Sequence, residues 1–218
     1  MQLEVFSDAI CPWCFIGKRR LDNVLVGPRA DDIDLTWRAY QLYPQIPIAG
    51  MDRDEFMKVR FGGSDKVGDA YKRIEAEGES EGIEFNFRCI RRMPNTRQAH
   101  RLAIWAKEVG VQSALIEVLF QFHFCAGSDV GDEDTLVEAA RQAGMETSAT
   151  RDFLRSDARL DEMLSDLQFA LAAEISGVPC FVIERSFAIP GAQPSEVLAR
   201  YLDKAKANIA ARAASQSV

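Results

Sequence analysis

Segments with the pattern of β-strands occur near the two ends of this sequence, and the long stretch between them has a helical pattern. LEVFS at residues 3–7 and the alternating run at residues 33–42 flank a segment with helical spacing, residues 13–26. Strand-like residues return in PCFVIERSFAI, residues 179–189, which predicts a β-hairpin, and Ser195 is a candidate N-cap for a last helix. The sequence therefore predicts an α/β layout of β–α–β, a long helical block, and β–β–α.

The helical block has apolar residues at helical spacing. Residues 51–76 fit one or two helices, residues 113–126 fit a strongly apolar helix, and Asp132 is placed to begin another. No segment of this block shows the alternation of a long strand, so we expect it to be helical throughout.

Composition and charge narrow the classes of function. Of the 218 residues, 47% are hydrophobic and 27% are charged, which is the balance of an ordinary globular protein. A chain of this length buries about 70% of its unfolded surface, so it needs no disulfide framework to fold. The formal net charge of −7 argues against binding to nucleic acid through phosphate attraction.

Neither a targeting segment nor a membrane span is expected. The first residues, MQLEVFSDAI, lack a basic region followed by a long apolar one. The most hydrophobic later run, ALIEVLFQFHF, is too short to cross a bilayer and contains Glu117, Gln121 and His123. We therefore expect a cytoplasmic protein with no membrane partner, in a compartment where thiols stay mostly reduced.

Two of the five cysteines, Cys11 and Cys14, form a CPWC motif where the first strand gives way to the first helix. In a reducing compartment a close pair of this kind favours a reactive dithiol or a metal site over a structural disulfide. A zinc site needs further ligands at a matching spacing, and Cys89, Cys125 and Cys180 are scattered along the chain. A redox dithiol without a metal is the favoured interpretation, and zinc and a structural disulfide are the weaker alternatives.

The position of Cys11 at a helix start predicts different roles for the two thiols. Pro12 is tolerated in the first turn, where its missing N–H has no partner to lose. The unpaired N–H groups and the positive end of the helix dipole favour a thiolate at Cys11, which makes it the predicted attacking sulfur. Cys14 lies one turn further and is predicted to resolve the mixed disulfide. Lys18, another turn on, either helps the anion or faces water.

Four further residues are candidates of lower rank. Trp13, between the cysteines, is predicted to form a surface that receives substrate. Asp8 would disfavour a thiolate if its carboxylate approached the sulfur. His100 fits a hydrogen-bonded structural histidine better than a catalytic base, and Cys180 fits a small buried residue on the far side of its strand better than a third active thiol.

Three segments together resemble one known family. FSDAICPWCFIGKRRL, PNTRQAHRLAIWA and SGVPCFVIERSFAIPGAQP occur in this order and look like the motifs of the DsbA-like thioredoxin-fold family. They are most similar to its FrnE-type cytoplasmic branch, which is related to the 2-hydroxychromene-2-carboxylate isomerases and the kappa-class glutathione transferases. The resemblance implies a thioredoxin-like domain formed by residues 1–44 and 165–218, interrupted by a helical insertion at residues 45–164. It also implies a cis Val178–Pro179 peptide bond beside the CPWC disulfide.

The activity implied by the resemblance is thiol–disulfide exchange with a disulfide-containing protein or a small thiol or disulfide. The implied catalytic residues are Cys11 and Cys14, and the implied substrate-binding residues are Pro12, Trp13, Val178 and Pro179. A cis bond would turn the Val178 backbone toward the site, where it would pair with an extended substrate segment. No bound cofactor is expected, glutathione is a candidate cosubstrate, and the frequency of dimers among such relatives leaves a homodimer open.

A glutathione-dependent isomerase or transferase is the alternative function. Relatives with that activity usually carry serine where this chain has Cys11, and they lack a CxxC motif. They also tend to have an asparagine-containing segment that contacts glutathione after the second strand, where this chain has YQLYPQIPIAG, residues 40–50. These departures favour disulfide exchange. The physiological substrate, the reduction potential and the direction of electron flow are not specified by the sequence.

Overall fold

The computed structural model describes residues 1–216, except for the side chains of residues 64, 65 and 212–216. The strands in this part of the chain are β1 (Gln2–Ser7), β2 (Asp34–Ala39), β3 (Met51–Asp52), β4 (Arg92–Met93), β5 (Cys180–Ile183) and β6 (Phe187–Pro190). The α-helices there are α1 (Pro12–Val24), α2 (Pro28–Asp31), α3 (Arg53–Phe61), α4 (Gly68–Glu79), α5 (Arg97–Glu108), α6 (Gln112–Phe124), α7 (Glu133–Gln142), α8 (Thr147–Arg155), α9 (Leu160–Ala172) and α10 (Ser195–Gln216). Short 3-10 helices cover Ser64–Val67 and Phe87–Cys89.

Strands from both ends of the chain share one sheet, whose order is β2-β1-β5-β6. β1 pairs with β2 in parallel through the crossover helix α1, as a parallel connection requires. β1 pairs with β5 antiparallel, and β5 and β6 form the antiparallel hairpin. This arrangement confirms the predicted α/β fold with a helical insertion, because α3 to α9 all lie between β2 and β5 in the chain. The expectation that the block is helical throughout is wrong at one place, since β3 and β4 also lie within it and pair antiparallel.

Helices cover both faces of this sheet. On one face, Phe181 of β5 lies against Gly17 of α1. On the other face, Phe6 of β1 stacks on Phe169 of α9 with the ring centroids 5.7 Å apart, and it shares a small apolar cluster with Cys180. Because successive strand residues point to opposite faces, Phe181 and Cys180 belong to different sides of the sheet.

The inserted helices pack against α1 through aromatic rings. Phe15 of α1 lies 5.1 Å from Phe120, 6.4 Å from Phe124 and 6.0 Å from Phe85, measured between ring centroids. All four rings belong to one apolar core, which extends from the sheet through α1 into the helical block. The insertion therefore holds α1, and with it the CPWC turn, against the sheet.

The most apolar helix, α6, belongs to this core. Leu115, Leu119 and Phe120 are almost fully buried. At the start of the same helix, the side-chain amide of Gln112 bonds both the N–H and the C=O of Trp37 over 2.9 Å, which ties α6 to β2. Across residues 1–216, no helix has both the length and the apolar composition that crossing a bilayer requires.

The second strand ends earlier than its alternating pattern suggests, at Ala39. The amide of Tyr40 still donates to the carbonyl of Ser7 over 3.1 Å. The amide of Leu42 instead donates over 2.7 Å to Oδ2 of Asp8. The chain leaves the sheet at this point because a buried carboxylate binds the amide that a longer strand would offer to β1.

The sequence predicts Ser195 as the N-cap of the last helix, and this prediction is wrong. The amides of Val197 and Leu198 donate to the carbonyl of Pro194, so the helix starts one residue earlier than a Ser195 cap would set it. The Ser195 hydroxyl donates instead to the carbonyl of Arg20 over 3.1 Å. It therefore joins the start of α10 to α1.

Candidate active site

The first turn of α1 brings the two cysteines of CPWC together. Cys11 is the N-cap of the helix, with φ −99° and ψ 108°, and Pro12 occupies the first helical position. The amide N–H of Cys14 donates to Sγ of Cys11 over 3.2 Å. The sulfur of Cys11 therefore accepts one of the N–H groups that a helix start leaves without an intrahelical partner.

The environment of Cys14 keeps it neutral. Its side chain is completely buried, whereas 3% of Cys11 is exposed. Burial raises the pKa of the Cys14 thiol well above its ordinary value, and the adjacent Cys11 sulfur raises it further. Cys14 is therefore a protonated thiol at neutral pH, and it has to lose that proton before it can attack another sulfur.

The segment before β5 forms the opposite side of the site. The Val178–Pro179 peptide bond is cis. The Cys11 thiol donates to the carbonyl oxygen of Val178 over 3.5 Å. A methyl group built on Gly17 would come within 2.9 Å of Cγ of Pro179, so α1 and the proline ring are in close contact. The structure thus brings Val178 to the start of α1 and Pro179 to its second turn.

A buried carboxylate and a buried imidazole lie close together next to the CPWC turn. Oδ1 of Asp8 lies 3.3 Å from Nε2 of His100 on α5, and both side chains are buried. Oδ2 of Asp8 accepts the amide of Leu42, and its backbone carbonyl accepts the amide of Cys11 over 3.0 Å. Asp8 therefore connects the CPWC turn to the insertion. His100 is a buried histidine, as a structural role predicts, but its Nε2 and Oδ1 of Asp8 do not form a hydrogen bond with each other. The sequence alone does not indicate their proximity because the two residues are far apart in the chain.

The sequence allows Lys18 either to help the thiolate or to face water, and the structure excludes the second option. Its ammonium group is buried and lies 2.6 Å from Oδ2 of Asp22 and 3.1 Å from Oε2 of Glu117. Two carboxylates therefore already balance this charge, and little of it is left to stabilise a thiolate.

Pro12 and Trp13 are only half-exposed, so the CPWC turn is less open than the sequence suggested. Trp13 packs against the main core, and the guanidinium carbon of Arg73 lies 5.8 Å from the centroid of its ring. Arg73 belongs to α4, so the insertion covers part of the turn. Pro12 and Trp13 keep part of their surface exposed, whereas the neighbouring Cys11 is buried.

Tyr43 and Arg60 are further neighbours of the site that the sequence analysis did not single out. The Tyr43 ring packs on Phe56 with the centroids 4.8 Å apart, and the guanidinium carbon of Arg60 lies 5.9 Å from the Tyr43 ring centroid. Burial raises the pKa of Tyr43, the Arg60 cation opposes that rise, and the Cys11 sulfur adds to it. The Tyr43 hydroxyl is therefore within electrostatic reach of both groups. Exposed arginines are common on helices, and no sequence signal distinguishes this one.

The other cysteines occupy different surroundings. Cys180 is buried on the sheet face that α9 covers, opposite α1, and burial raises the pKa of its thiol. Cys125 is half-buried and Cys89 is exposed. Within the described residues, no group of three or more His, Cys, Asp or Glu side chains is arranged to hold a metal ion.

Comparison with known proteins identifies the family. The profile of the DSBA-like thioredoxin domain matches residues 2–203. The chain belongs to the DSBA-like thioredoxin domain family. This DSBA-like protein is 30% identical to a probable DsbA oxidoreductase from Streptomyces coelicolor, with a TM-score of 0.86 over 95% of this chain and 90% of that one. It is 27% identical over 204 residues to YwbO of Bacillus subtilis, an uncharacterized protein, which covers 90% of this chain and 93% of YwbO.

Two solved structures of lower sequence identity share the fold of this DSBA-like protein. A 2-hydroxychromene-2-carboxylate isomerase matches with a TM-score of 0.69 and 17% identity over 100% of both chains. The cytosolic disulfide reductase DsbM of Pseudomonas aeruginosa, solved with GSH, matches with a TM-score of 0.60 and 14% identity over 97% of this chain and 98% of DsbM. The predicted family and fold are confirmed, and assignment to the FrnE-type branch stays a prediction.

Proposed function

We propose that this DSBA-like protein is a thiol–disulfide oxidoreductase that uses Cys11 and Cys14 as its dithiol. In the reducing direction, the Cys11 thiolate attacks one sulfur of a substrate disulfide, and the other substrate sulfur leaves as a thiolate. Cys14 then loses its proton and attacks the Cys11 sulfur of the mixed disulfide. The second substrate thiolate leaves, and the Cys11–Cys14 disulfide forms. The dithiol has lost two electrons and the substrate has gained them; the reverse sequence oxidises a substrate dithiol.

The observation that carries this proposal is the N–H of Cys14, which points at Sγ of Cys11 over 3.2 Å. A hydrogen bond to an anion is stronger than one to a neutral acceptor, so this contact favours Cys11 as the attacking and as the leaving thiolate. The buried Cys14 keeps its proton, and it lies one helical turn from the sulfur that it must attack. The first turn of α1 thus assigns the attack on the substrate to Cys11 and the resolution of the mixed disulfide to Cys14.

We assign substrate contact to the residues around Cys11, whose own side chain is only 3% exposed. The Val178 carbonyl lies 3.5 Å from the Cys11 sulfur, so an extended segment lying along Val178 would bring its own sulfur to Cys11. Pro179 has no amide N–H to compete for the sulfur, and Pro12 and Trp13 supply the half-exposed surface on the other side.

We place the activity in the cytoplasm, with glutathione as a thiol cosubstrate and not as a bound cofactor. One glutathione thiolate would attack the Cys11–Cys14 disulfide, and a second would release the first as oxidised glutathione, which restores the dithiol. DsbM supports this placement, because it shares the fold, is named a cytosolic disulfide reductase and was solved with GSH.

The test compares the reduced wild-type protein with three variants in the reduction of a model peptide disulfide. We expect Cys11→Ser to be inactive and Cys14→Ser to stop at a mixed disulfide. Cys180→Ser is the matched control: it is also a buried cysteine, it adjoins Pro179, and it lies on the other face of the sheet. It should react like the wild type. Reduction by Cys11→Ser at the wild-type rate would refute the proposal.

A glutathione-dependent isomerase or transferase is the second candidate, favoured by the full-length structural match to the isomerase. That activity needs glutathione to bind as a cosubstrate without disulfide chemistry. Calorimetric titration of reduced glutathione into the reduced protein separates the candidates. One-to-one binding with all thiols still reduced supports the isomerase, whereas no binding together with rapid exchange with oxidised glutathione supports the oxidoreductase.

A further inference from the structure

Two arginines of the insertion, Arg60 on α3 and Arg73 on α4, lie on aromatic rings next to the proposed active site. The guanidinium carbon of Arg73 is 5.8 Å from the ring centroid of Trp13, the residue between the two catalytic cysteines. That of Arg60 is 5.9 Å from the ring centroid of Tyr43, whose hydroxyl is within electrostatic reach of the Cys11 sulfur. We call Arg60 and Arg73 the basic rim.

Among the described side chains, no carboxylate pairs with the basic rim. Arg60 has no acidic residue three or four positions away, where helix pairs form. Asp69 and Glu77, four positions before and after Arg73, pair with Lys72 and Arg20 instead. Both rim arginines are exposed, and no ion pair between described side chains includes either of them. Among the described side chains, these two cations have no carboxylate partner and lie over rings next to the CPWC turn, in a chain whose formal net charge is −7.

We propose that the basic rim selects polypeptide disulfides whose neighbouring residues are acidic. This inference rests on the proposed disulfide exchange at Cys11, and it adds the substrate class. Local cations beside a reactive group attract anionic ligands and raise their association rate, even when the rest of the molecule carries the opposite charge.

The geometry of the rim favours a polypeptide over a small anion. A guanidinium has five N–H donors, so a contact with one ring leaves donors that match a carboxylate in a bidentate manner. The two arginines stand on different helices and on different rings, so they offer two separate points of attachment. An extended segment with acidic residues near its cysteine supplies separate carboxylates, and the same segment would lie along Val178.

The test uses three peptides that share one sequence and one disulfide and carry Glu, Gln or Lys beside the cysteines, with oxidised glutathione as a fourth substrate. The measurement is the second-order rate of reduction by the reduced protein, at low and at high salt. The variants are Arg60→Glu, Arg73→Glu and the double variant. Arg200→Glu is the matched control, because Arg200 is an exposed arginine on α10 and its replacement changes the net charge by the same amount.

We expect the Glu peptide to react about threefold to tenfold faster than the Gln peptide, and the Lys peptide to react more slowly than both. High salt should remove the difference, the double variant should reverse the order, and Arg200→Glu should keep it. Equal rates for the three peptides overturn the inference and leave the proposed function intact. A dependence on the rim that appears with oxidised glutathione but not with peptides overturns the assignment to polypeptides. No reaction with any of the four substrates would instead refute the proposed function.

Discussion

Sγ of Cys11 lies 3.5 Å from the carbonyl oxygen of Val178, so the start of α1 and the segment before β5 meet at one sulfur. Gly17 makes this approach possible. Its hydrogen faces the ring of Pro179, where any larger side chain would collide. The distance between the sulfur and the Val178 carbonyl therefore depends on the absence of a side chain two turns along the same helix.

Gly17→Ala should impair both stability and disulfide exchange. The new Cβ would lie 2.9 Å from Cγ of Pro179 and 3.4 Å from Cζ of Phe181, so the Pro179 segment would have to move away from α1. Overpacking of this kind costs about 1–3 kcal/mol, of which the better helix propensity of alanine returns up to about 1 kcal/mol. Urea unfolding measures the stability, and reduction of a peptide disulfide measures the exchange rate.

Gly68→Ala is the matched control for that substitution. Gly68 is also helical, and a methyl group there meets nothing within 4 Å. This variant should be as stable as the wild type or slightly more stable, with an unchanged exchange rate. If Gly17→Ala behaves in the same way, α1 does not hold the Pro179 segment through Gly17.

Alkylation should distinguish the two catalytic thiols. Burial raises the pKa of Cys14, so its reactive thiolate becomes abundant only at a pH above the pKa of an ordinary thiol. The alkylation of Cys14 should accelerate only at that higher pH. In the native reduced protein at neutral pH, we expect iodoacetamide to modify Cys11 and to leave Cys14 intact, as read by peptide mass spectrometry. Unfolding in guanidinium should abolish the difference. Modification of Cys14 before Cys11 in the native protein would show that the assigned order is wrong.

The parts of this structure that the sequence predicts are those with local signals. The CPWC motif, the strand before it and the hairpin after Pro179 each show their pattern within a short window. The Asp8–His100 pair and the basic rim have no such signal, because each arises only when the insertion packs against the CPWC turn. The end of β2 at Ala39 also has no local signal, because the carboxylate that binds the amide of Leu42 belongs to Asp8, which follows a different strand.

His123 should make the protein lose stability in mild acid. Burial lowers the pKa of its imidazole from 6.5 to about 4, and Nδ1 lies 3.4 Å from the carbonyl oxygen of Ser128. Between these two values the unfolded chain binds the proton and the folded one does not. The stability is therefore complete above about pH 6.5 and falls as the pH drops toward 4, by up to about 3 kcal/mol.

The measurement compares urea unfolding of the wild type and His123→Gln from pH 7 to pH 4. Glutamine can still donate to the Ser128 carbonyl, but it does not titrate. The wild type should lose more stability than the variant over this interval. Parallel stability curves for the two proteins would mean that His123 is not buried as a neutral imidazole.

Arg20 should be a main link between α1 and the insertion. Its guanidinium pairs with Glu77 and lies 2.7 Å from Oε1 of Glu81, and it also donates to the carbonyl of Ala192 over 2.7 Å. Arg20→Met keeps the aliphatic stem but leaves these acceptors without the cation, and we expect it to cost about 1–3 kcal/mol in urea unfolding.

Arg29→Met is the matched control for Arg20. Arg29 also pairs with a carboxylate, that of Asp203 over 3.0 Å, but Arg29 is 32% exposed and Asp203 is 57% exposed, so water screens this pair more than the Arg20 pairs. Exposed pairs contribute about 0–1 kcal/mol, so this variant should be nearly as stable as the wild type. An equal loss of unfolding free energy in the two variants would show that Arg20 is not a main link between α1 and the insertion.

The most direct test of the proposed mechanism is to trap its intermediate. The Cys14→Ser variant is mixed with a peptide disulfide, and the adduct is located by mass spectrometry after digestion. The proposed mechanism predicts one peptide per chain, attached to Cys11 and released by added thiol. An adduct on Cys89 or Cys125, or no adduct at all while the unfolded variant still reacts at Cys11, would contradict it.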